Sequence, residues 1–413
     1  MIDGQAGFGY RSIHVDETDD RADLRKERTS SMKKYAIFFP QFHQIKVNDL
    51  AWGYGFTDWS LVSVANAFDY WKRRAPVSGF YDLADERVVE RQFSSAAQAG
   101  IEGFGIYHYW FEDGSELGAV ERYLSHARLP DDFDYFYIWA NESWSKRWAG
   151  KDTEILKTVS TEPGHEEISR HVSYLKPYME SASYTRVSGR PLFVIYRPEF
   201  FKEPVATLAR YRKEFECAGL NPLIGYCMKS LSDVGYSNHF DFCYLFEPRM
   251  FFNFSGLRKS SFLQATFKKI IHVVPYSLAE RLSGTVGKLL NQGSKTYTFK
   301  RFLEYFVSAA RDQMVGKLNC PVQNVLTSGW NNAPRYRQHF TELEVPDTKE
   351  FSVMLNAALS NPKYAQEIPL LCNAWNEWSE GAAIEPCHYL SDTLLKSYLS
   401  GTVKIKTGKD HGK

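Results

Sequence analysis

The stretch Leu371–Pro386, LCNAWNEWSEGAAIEP, sets three carboxylates, Glu377, Glu380 and Glu385, among two indoles, Trp375 and Trp378, directly after an apolar run. Carboxyl groups crowded into one pocket push each other's proton affinities apart, so one can stay protonated near neutrality while another is ionised. Such a pair can protonate a glycosidic oxygen and assist departure from the anomeric carbon. Other apolar runs end in residues of the same kind. Gln41 and His43 follow the first, and His108, Tyr109 and Trp110 close the second. Asn141, Glu142 and Trp144 follow the third, Arg197 the fourth and Lys229 the fifth. Glu247 and Arg249 follow the sixth, and Trp330, Asn331, Asn332 and Arg335 the seventh. Indole faces cover the apolar CH faces of pyranoses, while amides and carboxylates take hydroxyls. The set therefore points to an oligosaccharide or polysaccharide substrate, with eight of the ten tryptophans (52, 59, 110, 139, 144, 330, 375 and 378) as its platform.

Two carboxylate pairings fit these residues. In one, Glu142 works with Glu377 across the site. In the other, Glu377 and Glu380 form a local pair. Positions three apart on a strand point to opposite faces, so the local pair needs a turn after Trp378, which Gly381 permits. Glu385 reads as a supporting carboxylate. No HExxH, paired cysteine, GxGxxG or P-loop pattern is present, so neither a metal nor a cofactor is expected, and His43 and His108 read as hydrogen-bonding residues. Asp132-Phe133-Asp134 matches a short acidic motif of nucleotide-sugar transferases, but it precedes an apolar run instead of following one.

The elements that must position these residues are eight short apolar runs: Tyr35–Phe39, Gly103–Tyr109, Phe136–Ala140, Leu192–Tyr196, Leu223–Cys227, Phe242–Phe246, Val322–Thr327 and Pro369–Ala374. Apolarity that is continuous, not alternating, suits parallel strands covered on both faces. Helical spacing in DERVVERQFSSAAQAG and PVATLARYRKEFECAGL, each ending at a glycine, supplies covering helices. The expected fold is a (β/α)8 TIM barrel with long βα loops, and 413 residues are enough to build it. The expected organisation is a polar tail over 1–31, one domain over 32–400 and a second polar tail over 401–413. An insertion over about 251–316 precedes the seventh strand. Residues 251–301 carry nine Lys or Arg against one acid, Glu280. That insertion reads as a helical excursion with a solvated basic face. Its sharper reading is a surface for peripheral membrane contact or for a lipid-linked substrate.

A net charge of +1 gives no case for nucleic acid. The cysteines (217, 227, 243, 320, 372 and 387) form no CxxC pair and lie mostly in apolar runs, as reduced thiols do. No run approaches the roughly 18 apolar residues of a membrane span. The expected location is cytoplasmic, and the sharper reading of the insertion would add association with the inner membrane face.

Taken together, FFPQFH, WGYGFTDW, GFYDL, GIEGFGIYHYWF, WANESWSKRWAG, GWNNAPR and NAWNEWSEGAAIEP resemble, in order, the motifs of the WbsX family. That family is similar to glycoside hydrolase family 99, the endo-α-mannosidase group. The resemblance runs from about Tyr35 to Pro386. It implies a (β/α)8 barrel and a part in assembling bacterial surface polysaccharide such as O-antigen, capsule or lipopolysaccharide. By the resemblance, Glu377 is the base that takes the proton of a sugar 2-hydroxyl. Glu380 is the acid that protonates the leaving oxygen and then activates water or an acceptor. The product of the first step is a 1,2-anhydro sugar, and the overall course is retaining on an α-linked, manno-like unit. Glu142 then becomes a substrate-binding residue, with His43, His108, Tyr109, Trp110, Asn141, Trp144, Glu247, Trp330, Asn332, Arg335, Asn376 and Trp378. The chain departs from the pattern in WNNAPR, where the family more often has Asp-Asn before Thr-Pro-Arg. The alternatives are a glycosyltransferase using an activated donor on a lipid-linked acceptor, a glycan-binding barrel without turnover, and a structural protein of a polysaccharide assembly.

Overall fold

Each of the eight apolar runs is a strand, and each pairs in parallel on both edges. The computed structural model describes residues 32–65, 75–114, 117–146, 154–258, 294–336, 340–388 and 392–400. The strands are β1 (Lys34–Phe38), β2 (Gly103–His108), β3 (Asp134–Trp139), β4 (Arg190–Ile195), β5 (Leu223–Met228), β6 (Phe242–Phe246), β7 (Val322–Thr327) and β8 (Leu370–Asn373). Successive strands are neighbours throughout, and Lys34 beside Leu370 closes the ring between β1 and β8. The protein is thus a closed eight-stranded parallel barrel with helices outside it, a (β/α)8 TIM barrel.

Side-chain alternation fills the two sides of the barrel wall. Inside, the rings of Tyr35, Phe136 and Tyr244 meet across the lumen, with centroids 6.2 and 6.3 Å apart for the successive pairs. These large rings fit because β2 offers glycines opposite them. A Cβ added at Gly103 would lie 2.6 Å from the Tyr35 ring and 2.4 Å from Asp134 O, and one at Gly105 would lie 2.9 Å from Ile138. Outside, Phe38 and Phe104 pack against Phe93 of the helix Glu86–Gln98 (α1), with centroids 4.9 to 5.7 Å apart. The Asp85 carboxylate caps that helix by accepting from Arg87 N, and Gly100, at φ 94°, follows its end. Further round, the helix His165–Glu180 (α2) buries His171 against the outer face of β2 and β3. The His171 and His108 Nε2 atoms are 3.0 Å apart, and Trp110 stacks on the His171 ring at 5.0 Å.

Between β6 and β7 lie the helix Arg249–Arg258 (α3), a short strand Lys295–Tyr297 and two helices, Phe299–Phe306 (α4) and Ala309–Val315 (α5). Most of the basic insertion, residues 259–293, falls outside the described residues, as do the tails 1–31 and 401–413. α4 buries Phe299, Phe302, Tyr305 and Phe306 and packs on Phe251. α5 carries Arg311, which is 1% exposed and reaches back under the barrel wall. Its guanidinium donates to Tyr364 Oη (2.6 Å), Asn324 Oδ1 (2.7 Å) and Glu247 Oε1 (3.3 Å). Glu247 also accepts from Tyr305 Oη and Phe251 N. Burial pushes its carboxyl up, Arg311 opposes that, and the pair ties β6 to the insertion's helices. Among the described residues no helix is long and apolar enough to cross a membrane.

Two stability effects follow. Gly103→Ala forces the Tyr35 ring and the Asp134 carbonyl apart and lowers stability by about 1–3 kcal/mol, read from the urea midpoint. Glu247→Ala leaves Arg311 buried without its counter-charge and costs about 3–5 kcal/mol in the same measurement; a loss below about 1 kcal/mol would show that the pair does not bind the insertion to the barrel.

Candidate active site

A cavity of about 430 Å³ opens at the carboxyl ends of the strands, the end where βα loops of this architecture meet. Its wall carries the terminus of β8. Beyond Asn373 the chain forms a two-residue ladder, Asn376–Glu377 against Ala382–Ala383, closed by a 3-10 turn at Trp378–Glu380 with Gly381 in the left-handed region at φ 63°. That turn brings Glu377 and Glu380 to one side. Asn376 fixes the ladder to the end of β1, accepting from Phe39 N (2.7 Å) and donating to Phe39 O (2.9 Å). Beneath it, Glu385 accepts from Trp378 Nε1 (2.8 Å), Tyr81 Oη (2.9 Å), Gln92 Nε2 (2.9 Å) and Ser78 Oγ (3.2 Å). Burial pushes the Glu385 carboxyl up, and those four donors pull it back down.

Arg335 organises the carboxylates. One arm of its guanidinium, Nη2, donates to Glu377 Oε1 and Asp58 Oδ2, both at 2.9 Å, and Nη1 donates to Glu380 Oε1 at 2.5 Å. The Ser379 hydroxyl lies 2.8 Å from Asp58 Oδ2 and 3.3 Å from Glu377 Oε1. Asp58 opens the helix Asp58–Ala65 in the long loop after β1. Arg335 sits in the turn after β7 that Asn331 and Asn332 shape. Asn331 Oδ1 accepts from Ala333 N, Asn332 Oδ1 accepts from Thr341 N, and Asn332 O accepts from Arg335 N. Burial works against the Arg335 charge, but Glu380, Glu377 and Asp58 together hold it well above its ordinary value. Glu377 is 4% exposed. Burial pushes its carboxyl up to about 8; Arg335 opposes this, and Glu380 and Asp58 add to it. The phenols of Tyr107 and Tyr109 face the same carboxylate. Burial, then Tyr196 and Glu377 for Tyr107 and Glu377 for Tyr109, pushes both well above the usual range, so both remain donors.

The opposite wall is an ion-paired set. Arg197 bonds Glu142 at 2.5 Å, and the Glu199 Oε1 atom lies 3.1 Å from Arg197 Nε and 3.3 Å from Lys229 Nζ. Asn141 holds the Arg197 backbone on both sides, accepting from its N (2.7 Å) and donating to its O (2.8 Å). Tyr196, Arg249, Asn253, Tyr336 and Trp144 complete the lining named here. Trp144 is fixed by its Nε1 donating to Asn48 Oδ1 at 2.8 Å.

Of the residues expected in the site, Tyr109, Glu142, Trp144, Arg335, Glu377 and Glu380 line the cavity. Asn141, Asn332, Asn376 and Trp378 lie behind it and hold its loops, and Trp330 lies under Arg249, 4.8 Å from ring to guanidinium carbon. The others are placed away from it. His43 Nδ1 donates to Pro40 O at 3.0 Å, His108 and Trp110 pack on His171, and Glu247 pairs with Arg311. Of the eight tryptophans expected as a platform, only Trp144 lines the cavity; tyrosines take that place. Strand parity gives the reason. Gly103, Gly105, Tyr107 and Tyr109 share the inner face of β2, which sends His108 and Trp110 outward to the helices. Asp58 stands between Trp59 and the glycines of WGYGFTDW, and only the fold, which buries it beside Arg335, shows its part in the cluster. The Asp132–Asp134 motif stands at the opposite end of the barrel, where Asp134 pairs with Lys33 at 2.6 Å.

Comparison with known proteins places this arrangement in a family. The uncharacterized protein WxcX of Xanthomonas campestris pv. campestris strain B100 is 28% identical over 366 residues, covering 85% of this chain and 47% of that protein, and WxcX of strain ATCC 33913 matches equally. The chain thus spans about half the length of the curated relatives it matches. Among solved structures, the GH99 endo-α-mannosidase of Bacteroides thetaiotaomicron in complex with bis-tris propane superposes with a TM-score of 0.49 at 13% identity, over 89% of this chain and 95% of that one. A second structure of that enzyme gives 0.46 at 14% identity, over 79% and 81%. The family profile described as Glycosyltransferase WbsX matches residues 34–398, and the chain belongs to the WbsX glycosyltransferase family.

Proposed function

We propose that the chain is a retaining carbohydrate-active enzyme that cleaves or transfers an α-linked, manno-like glycosyl unit during bacterial surface polysaccharide synthesis in the cytoplasm. The observation that carries this reading is the pairing of Glu377 and Glu380 on two arms of one guanidinium at the cavity wall. In the first step Glu377, as carboxylate, takes the proton of the sugar 2-hydroxyl. The 2-oxygen attacks the anomeric carbon, the bond to the leaving oxygen breaks, and Glu380 gives that oxygen a proton. In the second, Glu380 takes a proton from water or an acceptor hydroxyl, which opens the 1,2-anhydro ring at the anomeric carbon, and the 2-oxygen recovers its proton from Glu377. Two inversions give net retention. The family's description as a glycosyltransferase favours a sugar over water as acceptor.

Incubation with a panel of α-mannosides, and with lipid-linked oligosaccharide plus a sugar nucleotide, tests the assignment. Glu377→Gln and Glu380→Gln are each expected to lower turnover roughly 10²–10⁴-fold. Transfer from a sugar nucleotide that survives both substitutions sinks the reading, and binding without turnover under every condition leaves a glycan-binding barrel. The pH profile tests whether the two carboxyls share one proton. A base must be ionised, and burial has moved Glu377 up to about 8. The reaction needs one proton held between Glu377 and Glu380, so kcat/KM is expected to fall as pH rises above about 8, where the pair loses it. If kcat/KM instead keeps rising through that pH, the pair does not work as one acid and one base.

A further inference from the structure

Among the described residues four cations line the cavity, and three are matched. Arg335 bonds Glu377, Glu380 and Asp58; Arg197 bonds Glu142 and Glu199; Lys229 bonds Glu199. Asp233, the remaining acid of the lining, accepts from the backbone amides of Lys229 and Ser230 at 2.8 and 2.9 Å. The fourth cation is Arg249, the first residue of α3. Among the described residues it makes no hydrogen bond and no ion pair. It rests on the Trp330 ring beneath it, 4.8 Å from the guanidinium carbon; burial works against its charge, and the nearby Glu380 favours it. A guanidinium resting on an indole is held in place, while its in-plane N–H fork remains available. Glu380 is bonded to Arg335, so the Arg249 fork has a counter-charge nearby but no bonded acceptor, and an anion on a ligand would supply one.

The surroundings favour an anion there. The acids of the cavity are already engaged by Arg335, Arg197, Lys229 and backbone amides. The hydroxyls of Ser230 and Ser232 and the side chain of Asn253, one turn along α3 from Arg249, line the same cavity. We propose that Arg249 is the anion-binding subsite of this cavity, receiving a carboxylate or phosphate group borne by the sugar chain. This rests on reading the cavity as a glycan site, and it narrows the substrate class to a charged glycan. The two arms of the fork match the two oxygens of a uronate, and a sugar phosphate offers the same oxygens on a tetrahedral centre.

Equilibrium titration of the full chain with methyl α-glucuronide, α-mannose 1-phosphate, methyl α-mannoside and inorganic phosphate tests this without turnover. At least one charged sugar is expected to bind about tenfold or more tightly than the neutral mannoside at low salt. The preferred one identifies the group as carboxylate or phosphate. Arg249→Gln should abolish the difference while leaving the neutral sugar unchanged, and Arg249→Lys should keep part of it. Equal binding of charged and neutral sugars overturns the proposal. So does an equal weakening of both by Arg249→Gln, which would make Arg249 a partner of Glu380 alone. Inorganic phosphate binding as tightly as the sugar phosphate overturns it too, leaving a bare anion site. Because the readout is binding, its failure leaves the glutamate assignment standing, and inert glutamate variants leave this subsite standing.

Discussion

One guanidinium serves three carboxylates, and the site depends on that imbalance. Were all three ionised around Arg335, one positive charge would face three negative ones, leaving a net charge of minus two in a buried place. Charges there interact far more strongly than in water, so the cluster lowers its energy by keeping a proton. The groups come from neighbouring sectors of the barrel: Arg335 after β7, Glu377 and Glu380 after β8, Asp58 after β1. Small shifts between those strands would change which carboxylate is protonated. That explains why the ends of β8 and β1 are pinned through Asn376 and Phe39.

The other wall answers this one with balanced charge. Glu142, Arg197, Glu199 and Lys229 neutralise one another in a chain, with Asn141 fixing the middle of it. Such pairs are individually weak at a wet surface, but here they are partly desolvated and share partners, so their geometry is constrained. Under the proposed function, a sugar entering the cavity meets one wall poised to exchange protons and another that offers fixed donors and acceptors.

The barrel was legible because parallel strands covered on both faces must be apolar without interruption, and eight such runs stand out between helix-spaced segments. Glu377 and Glu380 were legible through their motif, and Gly381 told that a turn was possible there. The tryptophans misled for a physical reason. An aromatic residue after a strand faces the lumen or the helices according to parity, and composition is blind to parity. The two glycines of β2 held the key, since they mark the face that the Tyr35 and Phe136 rings occupy and hence the face of Tyr107 and Tyr109. Glu247 shows the complementary failure. A carboxylate at a strand end is drawn away from the cavity when a cation from the outer helices claims it, and Arg311 lies 64 positions further along the chain.

The closure of the ring through β1 and β8 also has a bearing on biosynthesis. Asp58 is made before Arg335, and Arg335 before the two glutamates, so a growing chain holds no assembled carboxylate cluster until residue 380 has emerged. The anchoring of Glu385 by Ser78, Tyr81 and Gln92 extends the same dependence across some 300 positions. Nascent or truncated chains that stop short of this segment lack both the last staves of the barrel and its working groups. The cluster is therefore completed in one step, once that segment has been made, and a product ended before it carries no partial version of it.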